Sequence, residues 1–263
     1  MKKEVIPGTG SKKLLVISGL HGNEYTPVST VAELFQNKSS EFISTLIKLY
    51  SQITVLHAVN EYGLIKGVRE ASAPTDLNRL YQTIEPIDLI KDEVEAADVI
   101  IDVHSSPNCT EFVLINQGDQ ANSYVEFAKA HGIKYLVWSD GSPATLKSYA
   151  LTQNKIAFTV ECNGIQRVDN RSAAAAKELI STVAIHAATL VIKPASPKYP
   201  SLVKPKSICT GLVKWISETE YSITNLQTME SVVGYLPEGT PITWEHNGYI
   251  KAGDVIAFVQ PNN

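Results

Sequence analysis

Apolar positions along this chain fall into two textures, and the first runs to about residue 192. There, short apolar runs alternate with segments whose apolar residues recur at helical spacing. Lys13 to Leu20, Ile53 to Val59, Asp98 to His104, Phe112 to Ile115, Tyr135 to Trp138 and Ile156 to Val160 read as strands, each bounded by polar or turn-forming residues. Helices are expected from Pro27 to Phe35, from Glu85-Pro86 to about Ala96, and from Ala121 to Ala130. Pro27 falls near a first turn, where a missing N–H costs little. Gly132 suits the left-handed position that ends the third helix. Asp169-Asn170 caps a long helix to about Val191, with Ala175, Leu179, Val183 and Leu190 on one stripe. Alternation of this kind predicts an α/β domain with a mixed, mostly parallel sheet flanked by helices.

The second texture begins after a proline-rich stretch, Lys193 to Pro200, which reads as a stiff linker. Short apolar runs at 211–213, 231–235 and 255–259 are separated by turn signals at Pro237-Glu238-Gly239, Asn247-Gly248 and Ala252-Gly253-Asp254. Asn-Gly favours a tight hairpin. The expected organisation is therefore an α/β domain over 1–192 and a small all-β domain over 193–263.

Charge and composition narrow the function classes. A net charge of −4 and a pI near 5.9 leave no basic footprint for nucleic acid. No apolar run reaches the length of a membrane span. The first residues are basic without a following apolar segment, so no secretion signal is expected. Cys109, Cys162 and Cys209 are odd in number and form no Cys-x-x-Cys pair, which fits a reducing cytoplasm better than a disulfide framework.

The chemistry concentrates at strand ends. His21-Gly22-Asn23-Glu24 follows the first apolar run directly, at the C-terminal end where open α/β sheets place their sites. An imidazole and a carboxylate three positions apart in a tight turn can grip one metal ion. Their alternative is a turn histidine beside a carboxylate that favours a helix N-terminus. A second strand supplies Asp102-Val103-His104. Zinc favours mixed nitrogen and oxygen donors, and a catalytic zinc needs three protein ligands and an open position for water. His21, Glu24 and His104 form such a set, with one zinc per chain. Asp102 shares a strand face with His104 and either supports that ligand or serves in a salt bridge or turn cap. Glu161 ends the strand Ile156–Val160, as a base in a cleft or as a strand-end acid paired with a cation. Cys162 beside it reads as a packed small residue, His57 as a core residue or a support behind the ligands rather than a fourth ligand, and His186 as a surface or packed residue.

Four motifs taken together, Ser18-Gly19-Leu20-His21-Gly22-Asn23-Glu24, Asp76-Leu77-Asn78-Arg79, Asp102-Val103-His104-Ser105 and Thr159-Val160-Glu161, resemble the succinylglutamate desuccinylase/aspartoacylase family of the zinc carboxypeptidase-like group. The resemblance implies a zinc-dependent amidohydrolase that cleaves an N-acyl amino acid. In the family the residue matching Glu161 is the general acid/base. Asn78 and Arg79 match the pair that grips a free carboxylate, for which a guanidinium is suited by its two parallel donors. Arg69 lies near a family arginine that polarises the scissile carbonyl, its other reading being a solvated loop arginine, and Tyr149 near a substrate-binding tyrosine, its other reading being an aromatic packed inward from a helix face. The implied partner is a small molecule bearing a free carboxylate, and the family makes a homodimer an expectation. A metallocarboxypeptidase acting on short peptides, or a silent ligand-binding relative, are the competing functions.

Overall fold

The computed structural model describes residues 1–72, 75–79, 88–107, 111–116, 121–139 and 144–192, and the strand segments 211–215, 220–224, 231–235, 242–245, 248–250 and 257–259. The linker at 193–200, the boundary expected at 192/193, the helix opening at Glu85-Pro86, the turns around 237–239, 247 and 252–254, and Cys109 and Cys209 lie outside the described residues.

Seven strands form one sheet: β1 (Lys2–Pro7), β2 (Lys12–Ser18), β3 (Tyr50–His57), β4 (Val99–Ser106), β5 (Phe112–Asn116), β6 (Leu136–Ser139) and β7 (Ile156–Asn163). Their order is β1-β3-β2-β4-β7-β5-β6. β1 with β3 and β5 with β7 are antiparallel; the other four pairings are parallel. The helices are α1 (Tyr25–Gln36), α2 (Glu41–Leu49), α3 (Glu61–Lys66), α4 (Asp88–Ala96), α5 (Ala121–Ala130), α6 (Leu146–Thr152) and α7 (Asn170–His186).

Side chains alternate across each strand, and both faces are covered. Leu14 and Val16 of β2 join a core with Val31 of α1, Leu46 of α2, Phe127 of α5 and Ile180 of α7. Leu15 and Ile17 join a second core with Ile90 and Val94 of α4 and Leu146 and Ala150 of α6. This double burial is why β2 and β4 read as unbroken apolar runs. No helix among the described residues is long and apolar enough to cross a membrane.

Some boundaries differ from the sequence pattern for local reasons. The strand expected to reach Val59 stops at His57, because Ala58 takes a left-handed φ of 48°. The run to Leu20 stops at Ser18, because Gly19 turns the chain with φ 73°. The long helix ends at His186 and tightens into a short 3-10 turn, Ala187–Thr189. β1 carries no apolar run: it is an edge strand that buries only Ile6. After residue 210 the described segments are strands. β8 (Gly211–Trp215), β9 (Glu220–Thr224), β10 (Ser231–Tyr235) and β12 (Gly248–Ile250) pair antiparallel in the order β10-β9-β8-β12. β11 (Ile242–Glu245) pairs with β13 (Ala257–Val259).

Candidate active site

Three neighbouring parallel strands, β2, β4 and β7, bring their C-terminal ends to one edge of the sheet. The turn after β2 carries His21 and Glu24. It is tied to the turn after β3 by the Val59 and Asn60 N–H groups, which donate to the Ser18 and Gly19 carbonyls at 3.1 and 2.8 Å. The Gly22 N–H donates to the Arg69 carbonyl at 3.2 Å. A Cβ at Gly22 would lie 2.1 Å from the Gly63 carbonyl carbon, so only glycine lets this turn sit against α3. His104 of β4 is the register partner of Glu161 of β7.

His21, Glu24 and His104 are all buried and meet at one point. The two Nδ1 atoms lie 3.1 Å apart. Glu24 Oε1 is 2.7 Å from His21 Nδ1, and Oε2 is 3.1 Å from His104 Nδ1. The Ser105 N–H donates to Glu24 Oε2 at 2.9 Å and fixes the carboxylate. Both rings are held from behind by acids. His104 Nε2 is 2.8 Å from Asp102 Oδ2, and His21 Nε2 is 3.1 Å from Asp76 Oδ1. A carboxylate can only accept, so each Nε2 donates to the acid behind it, and the two Nδ1 atoms are turned towards Glu24 and each other at the centre. Such an arrangement can hold a divalent metal. Among the described residues this is the only group of three or more such side chains placed to do so.

The electrostatics suit a cation. Burial alone would raise the Glu24 carboxyl, but the two imidazoles, His104 first, bring it down to about 2. Burial would lower His104, yet Asp102 and Glu24 hold it well above the usual histidine range. Burial would also raise Asp76, and its bonds to His21 and Arg69 keep it well below the usual carboxylate range. Three carboxylates packed around two rings are a poor device for stability, since desolvation offsets their attraction. They are a good device for binding positive charge.

Asp76 reaches further. Its Oδ2 accepts from Arg69 Nε and Nη2 at 3.0 and 2.9 Å, and its Oδ1 accepts the Asn78 N–H at 2.9 Å. Arg69 Nη1 lies 3.8 Å from Glu24 Oε1. Asn78 is buried, with its Oδ1 accepting the Leu146 N–H at 2.9 Å. Arg79 is exposed, and its Nη1 donates to the Asn78 carbonyl at 2.8 Å. Glu161 Oε2 accepts from the Ser106 hydroxyl at 3.0 Å. Burial, joined by the charge of Glu24, raises the Glu161 carboxyl against the opposing pull of His104.

His21, Glu24, Arg69, Asn78, Arg79, His104 and Glu161 all line one cleft of about 230 Å³ as bounded by the described residues. Tyr149 does not line it. Its hydroxyl donates to Glu95 of α4, and its ring packs with the second core. Two residues earlier on α6, Lys147 does line the cleft. Positions two apart on a helix face roughly opposite sides, so a single motif offset decides between them. Asp76 and Ser106 carried no task in the sequence either, although Asp76 opens one of the four motifs. Their contacts depend on chain crossings that spacing does not reveal. Of the histidines set aside, His57 lies 3.8 Å from Glu4, and His186 stacks on His131 with centroids 3.8 Å apart. Cys162 is buried, with its thiol donating to the His104 carbonyl.

The family model for the succinylglutamate desuccinylase/aspartoacylase catalytic domain matches residues 10–187, well over half of the chain. Solved structures share the fold. A succinylglutamate desuccinylase/aspartoacylase from Rhodobacter sphaeroides superposes with a TM-score of 0.75 at 14% identity, covering 99% of this chain and 89% of that one. The product-bound ectoine utilization protein EutE (DoeB) from Ruegeria pomeroyi gives 0.74 at 21% identity, covering 98% and 87%. A metallo-carboxypeptidase from Burkholderia cenocepacia gives 0.59 at 16% identity, covering 72% and 61%. No curated protein matches the sequence.

Proposed function

The chain belongs to the succinylglutamate desuccinylase/aspartoacylase family, whose members are hydrolases, and on that premise we propose that it is a zinc-dependent amidohydrolase that removes the acyl group from an N-acyl amino acid. One cleft holding the His21–Glu24–His104 donors, Glu161 and Arg79 together supports this function most directly. Zinc suits the donors. Bonds of about 2.0–2.1 Å in a tetrahedral site set two nitrogens roughly 3.3 Å apart, against 3.1 Å between the Nδ1 atoms here.

When bound, zinc supplies a Lewis acid that polarises the scissile carbonyl and makes water acidic enough to attack near neutral pH. The remaining roles fall to the chain. Asn78 and Arg79 hold the free α-carboxylate and fix the substrate's direction. Arg69, kept in place by Asp76, faces the carbonyl oxygen and stabilises charge that develops there. Glu161 takes a proton from the attacking water and delivers it to the leaving nitrogen as the C–N bond breaks. Ser106 occupies Oε2, which leaves Oε1 for that transfer. The products are a carboxylic acid and a free amino acid.

A metallocarboxypeptidase would use the same groups. We assign the hydrolase to residues 1–192 and a small all-β domain to 193–263, in a cytoplasmic setting where Cys162 stays a free thiol. The deciding experiment is a screen of N-acetyl, N-succinyl and other N-acyl amino acids beside dipeptides, with zinc and with a chelator. Zinc-dependent turnover of the N-acyl amino acids is expected, and faster hydrolysis of the dipeptides would overturn the assignment.

Two variants test the supporting groups. Arg79→Ala should raise KM for carboxylate-bearing substrates about 10–100-fold, the worth of a charge-assisted pair, with a smaller change in kcat. An equal effect on analogues without the carboxylate would remove Arg79 as the anchor. Asp76→Asn should weaken zinc binding about 10–100-fold, as loss of an orienting carboxylate does. Competition against a chromophoric chelator measures it, and unchanged affinity would mean that Asp76 does not set the His21 ring.

A further inference from the structure

Thr26 buries its hydroxyl in the first turn of α1, two residues after the proposed metal donor Glu24. A buried hydroxyl is costly unless its hydrogen bonds are made. Thr26 makes them far along the chain. Its Oγ1 donates to the Arg167 carbonyl at 3.3 Å and accepts the Asp169 N–H at 3.0 Å. Both partners belong to a strap, Asn163 to Asp169, that runs from the end of β7 to the cap of α7. Two further bonds fasten the strap beside the metal donors. Ser105, next to His104, donates its hydroxyl to the Gly164 carbonyl at 2.8 Å. The Gln166 N–H donates to the carbonyl of Asn23, next to Glu24, at 2.7 Å. The strap bends sharply to make these contacts: φ is 109° at Gly164 and 55° at Gln166. A Cβ on Gly164 would lie 2.4 Å from Thr26 Oγ1, so the backbone there packs directly on the hydroxyl.

The strap begins two residues after Glu161. Among the described residues, β5 pairs with β7 no further than Phe112 opposite Glu161, whereas β4 continues to Ser106 opposite Asn163. Past Glu161, β7 therefore has a strand on one side only, and the strap takes over on leaving the sheet. Thr26 thus joins the chain just after one metal donor to the chain just after the base. We propose that Thr26 is a positioning residue, which acts through the strap to fix Glu161 at its working distance from the His21–Glu24–His104 centre. The inference rests on the deacylase reading, since it needs Glu161 to act on water at that centre. Thr26 does not line the cleft, so its effect passes through the strap alone. Proton transfer makes the distance matter: the groups must meet within hydrogen-bond reach, and a displacement of about 1 Å can cost roughly 10²-fold in rate. A hydroxyl suits the task because it donates and accepts at once, so one side chain holds the strap at two points.

Two substitutions divide shape from bonding. Thr26→Val keeps the branched shape and removes both hydrogen bonds, whereas Thr26→Ser keeps both. With zinc-loaded enzyme and its best N-acyl amino acid, well below the melting temperature, Thr26→Val should lower kcat about 10–100-fold at unchanged KM and zinc content. Thr26→Ser should recover most of the loss. Amide hydrogen exchange gives a readout independent of turnover. In Thr26→Val the Gln166 N–H should exchange about tenfold faster, as local opening does when it costs one hydrogen bond less. Amides in the middle of β2 and β4 should stay as slow as in wild type, which a general loss of stability would not allow. Wild-type kcat in Thr26→Val, a serine variant no better than the valine one, or zinc lost in step with activity would overturn the proposal. Should Thr26→Val fail to fold, Ser105→Ala frees the strap at Gly164 instead; faster exchange at Gln166 with lower kcat is then expected, and unchanged values would overturn it. If wild type turns over no N-acyl amino acid, the deacylase reading fails instead, and the exchange comparison alone decides whether Thr26 holds the strap.

Discussion

Glu161→Gln is expected to bind about one zinc per chain and to lose roughly 10²–10⁴-fold in kcat, the range that general acid–base catalysis supplies. The substitution keeps shape and polarity. The amide oxygen can still accept the Ser106 hydroxyl that now reaches Oε2. What it cannot do is accept a proton from water and carry it to the leaving nitrogen. Glu161 is not among the three converging donors, so metal content should survive. KM should change little, because the lost interaction belongs to the transition state. Metal analysis and steady-state kinetics on the same preparation separate the outcomes. Undiminished turnover would eliminate Glu161 as the base, and loss of zinc would recast it as a ligand.

His104→Ala should lose both the metal and the activity. It removes one of three donors, and with it the ring that Asp102 positions at 2.8 Å. It also leaves the buried Asp102 carboxylate without its partner, a change that typically costs about 3–5 kcal/mol. Two readouts divide these effects. Metal analysis reports the donor, and thermal melting with and without added zinc reports the linkage. Wild type should melt higher as zinc rises above its dissociation constant, whereas the variant should not respond. Full zinc occupancy in His104→Ala would remove this residue from the ligand set.

Much of the framework was legible because both sheet faces are buried, which writes strands β2, β4 and β7 as plain apolar runs. His21, Glu24, His104 and Glu161 stood out for the same reason: a polar group at the end of such a run interrupts an otherwise unbroken signal. β1 was illegible, since an edge strand that buries only Ile6 has no run to interrupt. The short helix α2 also went unread, though Ser40 caps it by accepting the Ile43 N–H at 3.2 Å. Asp76 and Lys147 were visible as residues but not as contacts. Asp76 reaches His21 across 55 positions, and the Leu146–Asn78 bond spans 68. Separations of that size carry no local periodicity. Tyr149 was read from an approximate offset, and the structure places its hydroxyl on Glu95 and its ring with the second core.

The pairing of His104 opposite Glu161 has a consequence for how this molecule matures. Adjacent strands lie about 4.8 Å apart, and sliding one past its neighbour by a single residue turns every side chain to the opposite face. A misaligned β4 or β7 would therefore bury the His104 imidazole or the Glu161 carboxyl among the helices while leaving the sheet outwardly intact. Assembly of the reactive centre and attainment of correct strand alignment are one event. Recovered turnover during refolding should accordingly serve as a stringent gauge of nativeness, stricter than any spectrum of secondary structure.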